Sequence, residues 1–238
     1  MKAIVLKEGS YSVSKEKDFT LINDTADTAG IKIAVQPFLV ITRKDYILLD
    51  VGLGFCRNKE PLIYQALERE NILPEQITKV LISHLHKDHI GGILNFQNGN
   101  IKCNFPNAEI FIQQRELDFA VTQQGNPSYN FEVLDKLTAL PNLTILNQEK
   151  GKISDEIYFE VSGGHTPYHQ EFWIEEDGQT IFYGADNLPQ YHYLQSHLAF
   201  KNDYDGKKAL HLRQKWKTEA EENHWKMLFC HDMETPIH

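Results

Sequence analysis

Short apolar runs separated by polar turns make up the first part of the chain. The runs at residues 3–6, 31–41 and 46–51 are rich in β-branched and other apolar residues, which predicts strands. A helical period at 59–71 then predicts an amphipathic helix. The next run, 79–83, is short and apolar, as expected for a strand buried on both faces. The apolar face of the predicted helix consists of Leu62, Ile63, Ala66 and Leu67.

The second part of the chain alternates strands and helices in the same way, and no linker separates the two parts. A further amphipathic helix is predicted at 206–223, where Asp205 has the short polar side chain of an N-cap. Strands are predicted at 109–112, 143–146, 157–161, 171–174, 180–183 and 227–230. The residues that the 206–223 helix should bury are Ala209, Leu212, Trp216 and Ala220. Together these elements predict an α/β (α+β) protein.

Four candidate metal ligands stand within six residues, directly after the 79–83 run, in His84-Leu85-His86-Lys87-Asp88-His89. Imidazole nitrogen and carboxylate oxygen are common zinc ligands. One residue separates His84 from His86, so an extended turn can aim both at one ion. Asp88 and His89 follow on the same loop and can reach a second ion. The alternative is a polar loop with scattered histidines, and the buried strand before it favours the metal site.

Gly91-Gly92 follow this cluster and allow a tight backbone turn. The residues after them, with Ile93, Leu94 and Phe96, predict a short helix. Strand, ligand loop and helix in this order place the cluster at the carboxyl end of a strand. Open α/β sheets have their binding sites at that end.

Further motifs occur in order along the chain: Leu49-Asp50-Val51-Gly52-Leu53-Gly54, Gly163-Gly164-His165-Thr166-Pro167, Tyr183-Gly184-Ala185-Asp186 and Phe229-Cys230-His231-Asp232. With the histidine cluster they resemble the metallo-β-lactamase superfamily. Its members use His-x-His-x-Asp-His, a third His after a Gly, a bridging Asp in a strand-end turn and a last His near the C-terminus. The resemblance spans residues 50–231. It implies a four-layer αββα sandwich, here as a single domain over residues 1–238.

The same resemblance implies two divalent metal ions. Zinc is the first choice, although a site of nitrogen and oxygen ligands also suits iron, manganese or cobalt. Asp186 would bridge the two ions. The residues implied as the remaining ligands are His84, His86 and His165 for one ion, and Asp88, His89 and His231 for the other.

Taken singly, three of these ligands have ordinary explanations. His165 could be a loop histidine, Asp186 a turn residue after Gly184, and His231 a histidine at the end of a strand. The ordered set favours ligands, because each residue supplies what the first cluster lacks.

The implied chemistry is hydrolysis by a metal-bridging hydroxide, with Asp88 and Asp186 as the catalytic carboxylates. Two ions about 3.5–4 Å apart can share a water and lower its pKa towards neutrality. The chain contains no Gly-x-Ser-x-Gly elbow for a serine nucleophile. We therefore expect no covalent intermediate.

Within the superfamily, Gly164-His165-Thr166-Pro167-Tyr168-His169-Gln170 resembles the Gly-His-Thr-Pro-Gly-His-Gln run of the N-acyl homoserine lactonase and organophosphate hydrolase-like branch. The resemblance implies cleavage of lactones or carboxylic esters of small molecules. Lactonases of this branch place a substrate-contacting tyrosine three residues after the bridging Asp. Here that position is Pro189, and the nearest tyrosines are Tyr191 and Tyr193. We interpret His169 and Asp50 as groups that orient ligands or loops.

Three alternatives to a lactone or ester hydrolase are less consistent with the sequence. A thioesterase of the glyoxalase II kind, or a phosphoesterase, would be supported by a basic patch, and none is visible in the sequence. A non-enzymatic metal-binding scaffold should have lost a ligand, and no ligand is missing. A class B β-lactamase is disfavoured because Asp186 stands where those enzymes have a cysteine, and because no export signal is seen.

The segment 113–140 is polar and aromatic, and Gln123-Gln124-Gly125-Asn126-Pro127 interrupts its helical pattern. One interpretation is a lid insertion that caps the metal site and is lined by Phe119, Tyr129 and Phe131. The other is a surface insertion that the same rings anchor to the core.

Composition narrows the range of partners. A net charge of −9 over 238 residues, with no Lys/Arg-rich patch, argues against nucleic acid. The apolar stretch in residues 1–7 is too short for a signal peptide, and no run approaches membrane-spanning length. Three separated cysteines indicate reduced thiols in a cytoplasm, and Cys230 should point away from the metals if its strand alternates. We expect a cytoplasmic enzyme with a small-molecule substrate. The sequence is compatible with either a monomer or a homodimer.

Overall fold

The computed structural model describes residues 1–23, 29–97 and 100–238, with the side chains of Gln97 and Asn100 left aside. Its strands are, in chain order, Lys2–Val5 (β1), Gly9–Val13 (β2), Phe19–Leu21 (β3), Ile31–Val35 (β4), Phe38–Ile41 (β5), Tyr46–Leu49 (β6), Cys56–Arg57 (β7), Glu60–Pro61 (β8), Lys79–Leu81 (β9), Leu94–Gln97 (β10), Asn100–Cys103 (β11), Glu109–Gln113 (β12), Leu143–Leu146 (β13), Lys150–Lys152 (β14), Ile157–Val161 (β15), Gln170–Glu176 (β16), Gln179–Tyr183 (β17) and Lys226–Leu228 (β18). Its α-helices are Leu62–Arg69 (α1), Lys87–Ile90 (α2), Gln114–Val121 (α3), Phe131–Leu137 (α4) and Gly206–Asn223 (α5), with 3₁₀ turns at Pro74–Gln76, Gly91–Ile93, Ala185–Asn187 and Tyr191–Leu194.

Two sheets form the centre of the described structure. The first has the strand order β1-β5-β6-β9-β12-β13 and is parallel from β6 to β13. The second has the order β14-β15-β16-β17-β18 and is antiparallel except for the last pair.

Alternation of side chains along the strands explains how the sheets stack. Leu48 packs into the cluster that contains Ile63 and Leu67 of α1, whereas its neighbour Leu49 packs into the cluster that contains Phe172 of the second sheet. Both leucines are fully buried, because the first sheet is covered on both faces. Trp216 of α5 covers the outer face of the second sheet. These four layers confirm the predicted αββα sandwich.

The predicted strand at 31–41 is two strands in different sheets. Pro37 lacks a backbone N–H and interrupts the ladder. The Gln36 carboxamide donates to the backbone oxygens of Phe229 (2.9 Å) and Asp232 (2.6 Å), which ties this break to the C-terminal turn. After it, β5 enters the first sheet, while β4 before it joins β2 and β3 in a small sheet that sequence patterns did not reveal.

The helix predicted after Gly91-Gly92 is wrong. A single 3₁₀ turn is followed by β10, which pairs with β11 as a hairpin. The glycines are required by packing against another loop: a Cβ on Gly91 would lie 2.1 Å from the Leu53 backbone oxygen, and one on Gly92 would lie 2.0 Å from that of Val51. Tertiary pairing therefore decides the local structure here.

Helix α5 has the predicted bounds and the predicted N-cap, since the Asp205 side chain accepts a hydrogen bond from Lys208 N (3.0 Å). Its buried face differs at one position. Arg213 is 1% exposed and donates to the backbone oxygens of Asn187 (3.0 Å) and Leu198 (2.7 Å), whereas Leu212 is only half-buried. A charged residue at this position could not be predicted from helical period.

The segment 113–140 contributes α3 and α4 to the helical layer outside the first sheet. Leu117 and Ala120 of α3 and Leu134 of α4 are buried in that layer. Among the described residues, no helix combines the length and the apolar character that crossing a bilayer demands.

Candidate metal centre

The predicted ligands come together because their strands all end at one edge of the sandwich. His84 follows β9, His165 lies in the loop after β15, Asp186 follows β17 and His231 follows β18. The strands β15, β17 and β18 run in the same direction, so their carboxyl ends meet. Sites in α/β sheets occupy this edge for the same reason.

The first group of side chains is His84, His86 and His165. His86 Nδ1 lies 3.0 Å from His84 Nε2 and 3.1 Å from His165 Nε2. One carboxylate oxygen of Asp186, Oδ2, completes the group at 3.2 Å from His165 Nε2 and 3.9 Å from His84 Nε2.

The second group lies on the other side of the same carboxylate. Asp186 Oδ1 is 3.1 Å from His89 Nε2 and 3.0 Å from His231 Nε2. Asp88 Oδ2 is 3.5 Å from His231 Nε2 and 3.9 Å from His89 Nε2. All seven predicted residues therefore lie together, and the two oxygens of Asp186 face two different groups.

This arrangement fits a pair of cations better than a self-contained hydrogen-bond network. Five ligand nitrogens point inward at one another and at carboxylate oxygens. The first group is compact enough to hold an ion, and in the second the compact set is His89, Asp186, Cys230 and His231, with Asp88 at its edge. His89 Nε2 is buried and makes no hydrogen bond of normal geometry with any described residue, although Asp186 Oδ1 is near. A buried polar atom without a partner is costly unless a ligand satisfies it.

The outer nitrogens of His165 and His231 are held by the protein, as is typical of metal-ligating imidazoles. Asp203 Oδ1 lies 2.8 Å from His165 Nδ1, and the Ala34 backbone oxygen lies 2.8 Å from His231 Nδ1. These contacts fix each ring so that its Nε2 faces the centre.

Asp50 positions the imidazole rings of His89 and His84, the second through Ser83. It lies 2.7 Å from His89 Nδ1 and accepts hydrogen bonds from Ser83 Oγ (2.8 Å) and Tyr183 OH (2.6 Å). Because Ser83 gives its proton to Asp50, its oxygen can accept one from His84 Nδ1 at 3.0 Å. Asp50 has the positive φ of 57°, a strained conformation often found at functional sites. The predicted orienting role of Asp50 matches this geometry.

Asn187 links the His165 loop to the Asp186 turn and was missed in the sequence. Its Oδ1 accepts from His165 N (2.8 Å), and its Nδ2 donates to Gly163 O (2.6 Å) and to Glu171 Oε1 (2.8 Å). A Cβ on Gly164 would lie 2.5 Å from Asn187 Oδ1, which explains the glycine. His169 is fully buried against the same network, 3.1 Å from Glu171.

Glu116 of α3 supports both histidine loops of the first group and was also missed. It accepts hydrogen bonds from Thr166 Oγ1 (2.8 Å) and from Leu85 N (3.3 Å). Burial raises the pKa of Glu116 to about 7, although these donors lower it. A sequence pattern gives no signal for such a residue, because its partners are distant in the chain.

The groups of the cluster shift one another's pKa values. Burial, followed by the neighbouring imidazoles, lowers the pKa of His84 and His86 well below the usual value. Burial also disfavours charge on His89 and His231, but the surrounding carboxylates outweigh it and raise the pKa of both. Burial raises the pKa of Asp186, yet the imidazoles around it hold that pKa well below its usual range. Metal binding would displace the histidine protons.

The expectation that Cys230 points away from this centre is wrong. Its Sγ lies 3.5 Å from Asp186 Oδ1, close to His231. Strand β18 ends at Leu228, so strand alternation does not apply to residues 230 and 231, and both side chains turn the same way.

A cavity of about 370 Å³ opens above the cluster. Tyr193 lines it and stacks on Phe200 with ring centroids 4.5 Å apart, whereas Tyr191 packs away from it, against Phe229 and His238. Burial, with Asp186 and Asp203, raises the pKa of Tyr193 to about 12, so its hydroxyl stays protonated at neutral pH.

Of the aromatic residues predicted to line a lid, Phe119 and Tyr129 border a second cavity of about 310 Å³ that shares His86 with the first. All three rings also pack into the core of the helical layer. The lid itself stays a prediction.

No basic patch is visible in the sequence, but in the structure three lysines line the cavity. Lys17, Lys32 and Lys87 come from three separate elements and all line it. These lysines are far apart in the chain, so neither the composition nor the local sequence indicated that they would form a patch.

Comparison with known proteins decides the family. A family model described as the Metallo-beta-lactamase superfamily matches residues 33–231. The chain belongs to this superfamily.

Two related proteins align with part of this metallo-beta-lactamase superfamily member. An N-acyl homoserine lactonase of Bacillus cereus is 29% identical over 188 residues, which cover 67% of this chain and 66% of the relative. An RNase J-like protein of Methanocaldococcus jannaschii is 29% identical over 150 residues, or 62% of this chain and 32% of the relative. The chain thus spans between a third and two thirds of the length of these relatives.

Solved structures share the fold. A probable metal-dependent hydrolase from Staphylococcus aureus superposes with a TM-score of 0.78 at 18% identity, covering 99% of this chain and 91% of the other. AidC, a dizinc quorum-quenching lactonase in complex with a product, superposes with a TM-score of 0.70 at 24% identity, covering 87% and 75%.

Replacing Asp50 with Asn tests whether the cluster holds metal through oriented imidazoles. The amide keeps the size and tolerates the positive φ, but it presents N–H groups to donors that now face a carboxylate. We expect metal affinity to fall about 10- to 100-fold, measured by competition with a chromophoric chelator. The exposed Asp135→Asn on α4 is the control. Unchanged affinity in Asp50→Asn would contradict the assigned role.

Proposed function

We propose that this protein is a dinuclear metal-dependent hydrolase that cleaves lactones or carboxylic esters of small molecules. The observation that carries the proposal is the position of Asp186, whose two oxygens face two separate groups of imidazoles. The relatives named N-acyl homoserine lactonase and the dizinc lactonase of similar fold support the same reaction class.

The residues fit two divalent ions, with zinc the first choice for nitrogen and oxygen ligands. Such ions, when bound, supply a water of lowered pKa and polarise the carbonyl under attack. The residues that would hold them are His84, His86 and His165 on one side, Asp88, His89 and His231 on the other, and Asp186 between them.

The side chains around the centre contribute orientation. Asp50 and Asp203 hold His89 and His165 in the tautomer that leaves Nε2 free. Tyr193 lines the cavity, and we infer that its protonated hydroxyl donates a hydrogen bond to a substrate oxygen. Tyr193 would therefore serve as the substrate-contacting tyrosine that lactonases have at the position of Pro189.

Cleavage of oxygen esters is favoured over cleavage of amides by the groups that line the cavity. An amine leaving group must be protonated as it departs, whereas an alkoxide has a weaker need for a proton donor. Among the described lining residues, the carboxylates are Asp88, Asp186 and Asp203, and each faces an imidazole of the cluster.

A thioesterase or phosphoesterase is the second candidate. The lysines at the cavity favour it, because a cationic rim suits substrates that carry negative charge. The match to an RNase J-like protein also fits phosphoester chemistry.

Metal content and the Asp186→Ala variant test the dinuclear centre. We expect about two metal ions per chain in protein purified without chelator, as determined by elemental analysis. Removing the carboxylate between the groups should lower both metal content and turnover, while Asp135→Ala should change neither. A value of one ion that zinc supplementation leaves unchanged, or near-native turnover of Asp186→Ala, would refute this centre.

A substrate panel tests the reaction class. The metal-loaded protein should hydrolyse a lactone or an aryl ester with measurable kcat/KM and show little or no turnover of a β-lactam. Thioesters, phosphodiesters and phosphotriesters in the same panel test the second candidate, and the anionic phosphodiesters test the role of the lysines. Turnover of a penicillin or cephalosporin above that of every ester would show the choice to be wrong.

Two conservative variants test the tyrosine. Tyr193→Phe removes only the hydroxyl that faces the cavity, so kcat/KM should fall about three- to tenfold, the effect of one lost neutral hydrogen bond. Tyr191→Phe is the matched control and should behave as the wild type. Equal effects of the two changes would exclude a specific role for Tyr193.

A further inference from the structure

Three lysines surround the cavity above the candidate metal centre. Lys17 follows β2, Lys32 lies on β4, and Lys87 is the first residue of α2. We propose that this cavity binds substrates with an anionic group, a carboxylate or a phosphate, distant from the bond that is cleaved. This substrate class deepens the proposed hydrolase function and rests on it.

The position of Lys17 is fixed by its backbone. Its N–H donates to Ser14 O (3.1 Å), and Ser14 N donates to Asp18 O (3.0 Å), which closes a tight turn. Lys17 has a φ of 63°, in the left-handed region that residues other than glycine rarely adopt. Lys17 and His86 both border the two cavities, so the turn places this lysine at the rim of the site.

Lys87 stands between two of the predicted ligands. Its backbone N–H donates to Ser128 O (2.8 Å), and its ammonium lies 5.6 Å from the Phe19 ring centroid. Phe19 and Phe200 also line the cavity. An apolar wall beside cations suits a substrate with an apolar body and a charged end.

The positive charges of the lysines are not needed to neutralise the carboxylates of the centre. Two divalent ions carry four positive charges, and three carboxylates line the cavity. In the part of the chain that the structure describes, none of the three lysines forms an ion pair. Among the described residues their charges are thus unpaired, although the chain as a whole carries −9.

The volume sets the size of that ligand. A cavity of about 370 Å³ lies in the range of small-molecule sites, roughly 300–1,000 Å³. Charge-assisted contacts of the half-buried Lys17 and Lys87 are stronger than exposed ion pairs, because the lining excludes part of the water, whereas Lys32 is exposed at the rim.

Matched esters test the proposal in the metal-loaded enzyme. The probes are the monophenyl ester of glutaric acid, its neutral methyl ester, and a phenyl ester of similar length that ends in a phosphate. We expect a KM at least about tenfold lower for an anionic probe than for the neutral one, with similar kcat. The difference should shrink as salt is raised. Comparing the two anions identifies the preferred group.

Lysine variants locate the effect. In Lys17→Met/Lys32→Met the preference for the anionic probe should fall severalfold, because Lys87 alone remains at the cavity, while kinetics with the neutral ester stay near those of the wild type. Lys15→Met is the control, because Lys15 is exposed in the same turn and does not line the cavity.

Calorimetric titration with glutarate gives a readout independent of turnover. Its Kd should rise about tenfold in the double variant and stay unchanged in Lys15→Met, with thermal unfolding used to verify that both variants fold. Equal KM values for charged and neutral esters, or glutarate binding that the double variant leaves unchanged, would overturn the proposal. If the wild type cleaves no ester at all, the hydrolase proposal fails and the glutarate titration alone decides this one.

Discussion

The position of one carboxylate, that of Asp186, determines the geometry of the whole centre. Five imidazoles converge on it or on each other in a buried space, an arrangement that is unfavourable without a compensating charge. The protein fixes these groups by giving each outer nitrogen or loop a partner, such as Asp50, Asp203 or Asn187. The strands of the αββα sandwich are rigid, and the loops at their ends hold the side chains of this polar cluster in place.

The site was more predictable from sequence than its surroundings. Ligands with a fixed spacing leave a local signal, as in residues 84–89, and strand ends with one direction bring the other ligands to the same edge. Helix α5 was equally predictable, since its cap and its period are local properties. Asn187 and Glu116 left no such signal, because each one works through partners far away in the chain.

The same physical reason explains the errors. The hairpin after Gly92 depends on pairing with β11 and on a loop that passes close to both glycines. The orientation of Cys230 depends on where β18 stops. The cationic lining depends on three elements that meet only after folding, so a net charge of −9 hid it.

The contact between His231 and the backbone of Ala34 has a consequence for biosynthesis. The loops of the first group are complete once Asp186 has been made, but His231 belongs to the last strand turn and is held by an early strand. During synthesis on the ribosome, the nascent chain can therefore assemble only one half of the centre. Completion of the second group therefore waits for residue 231 and for its docking against Ala34 of an early strand.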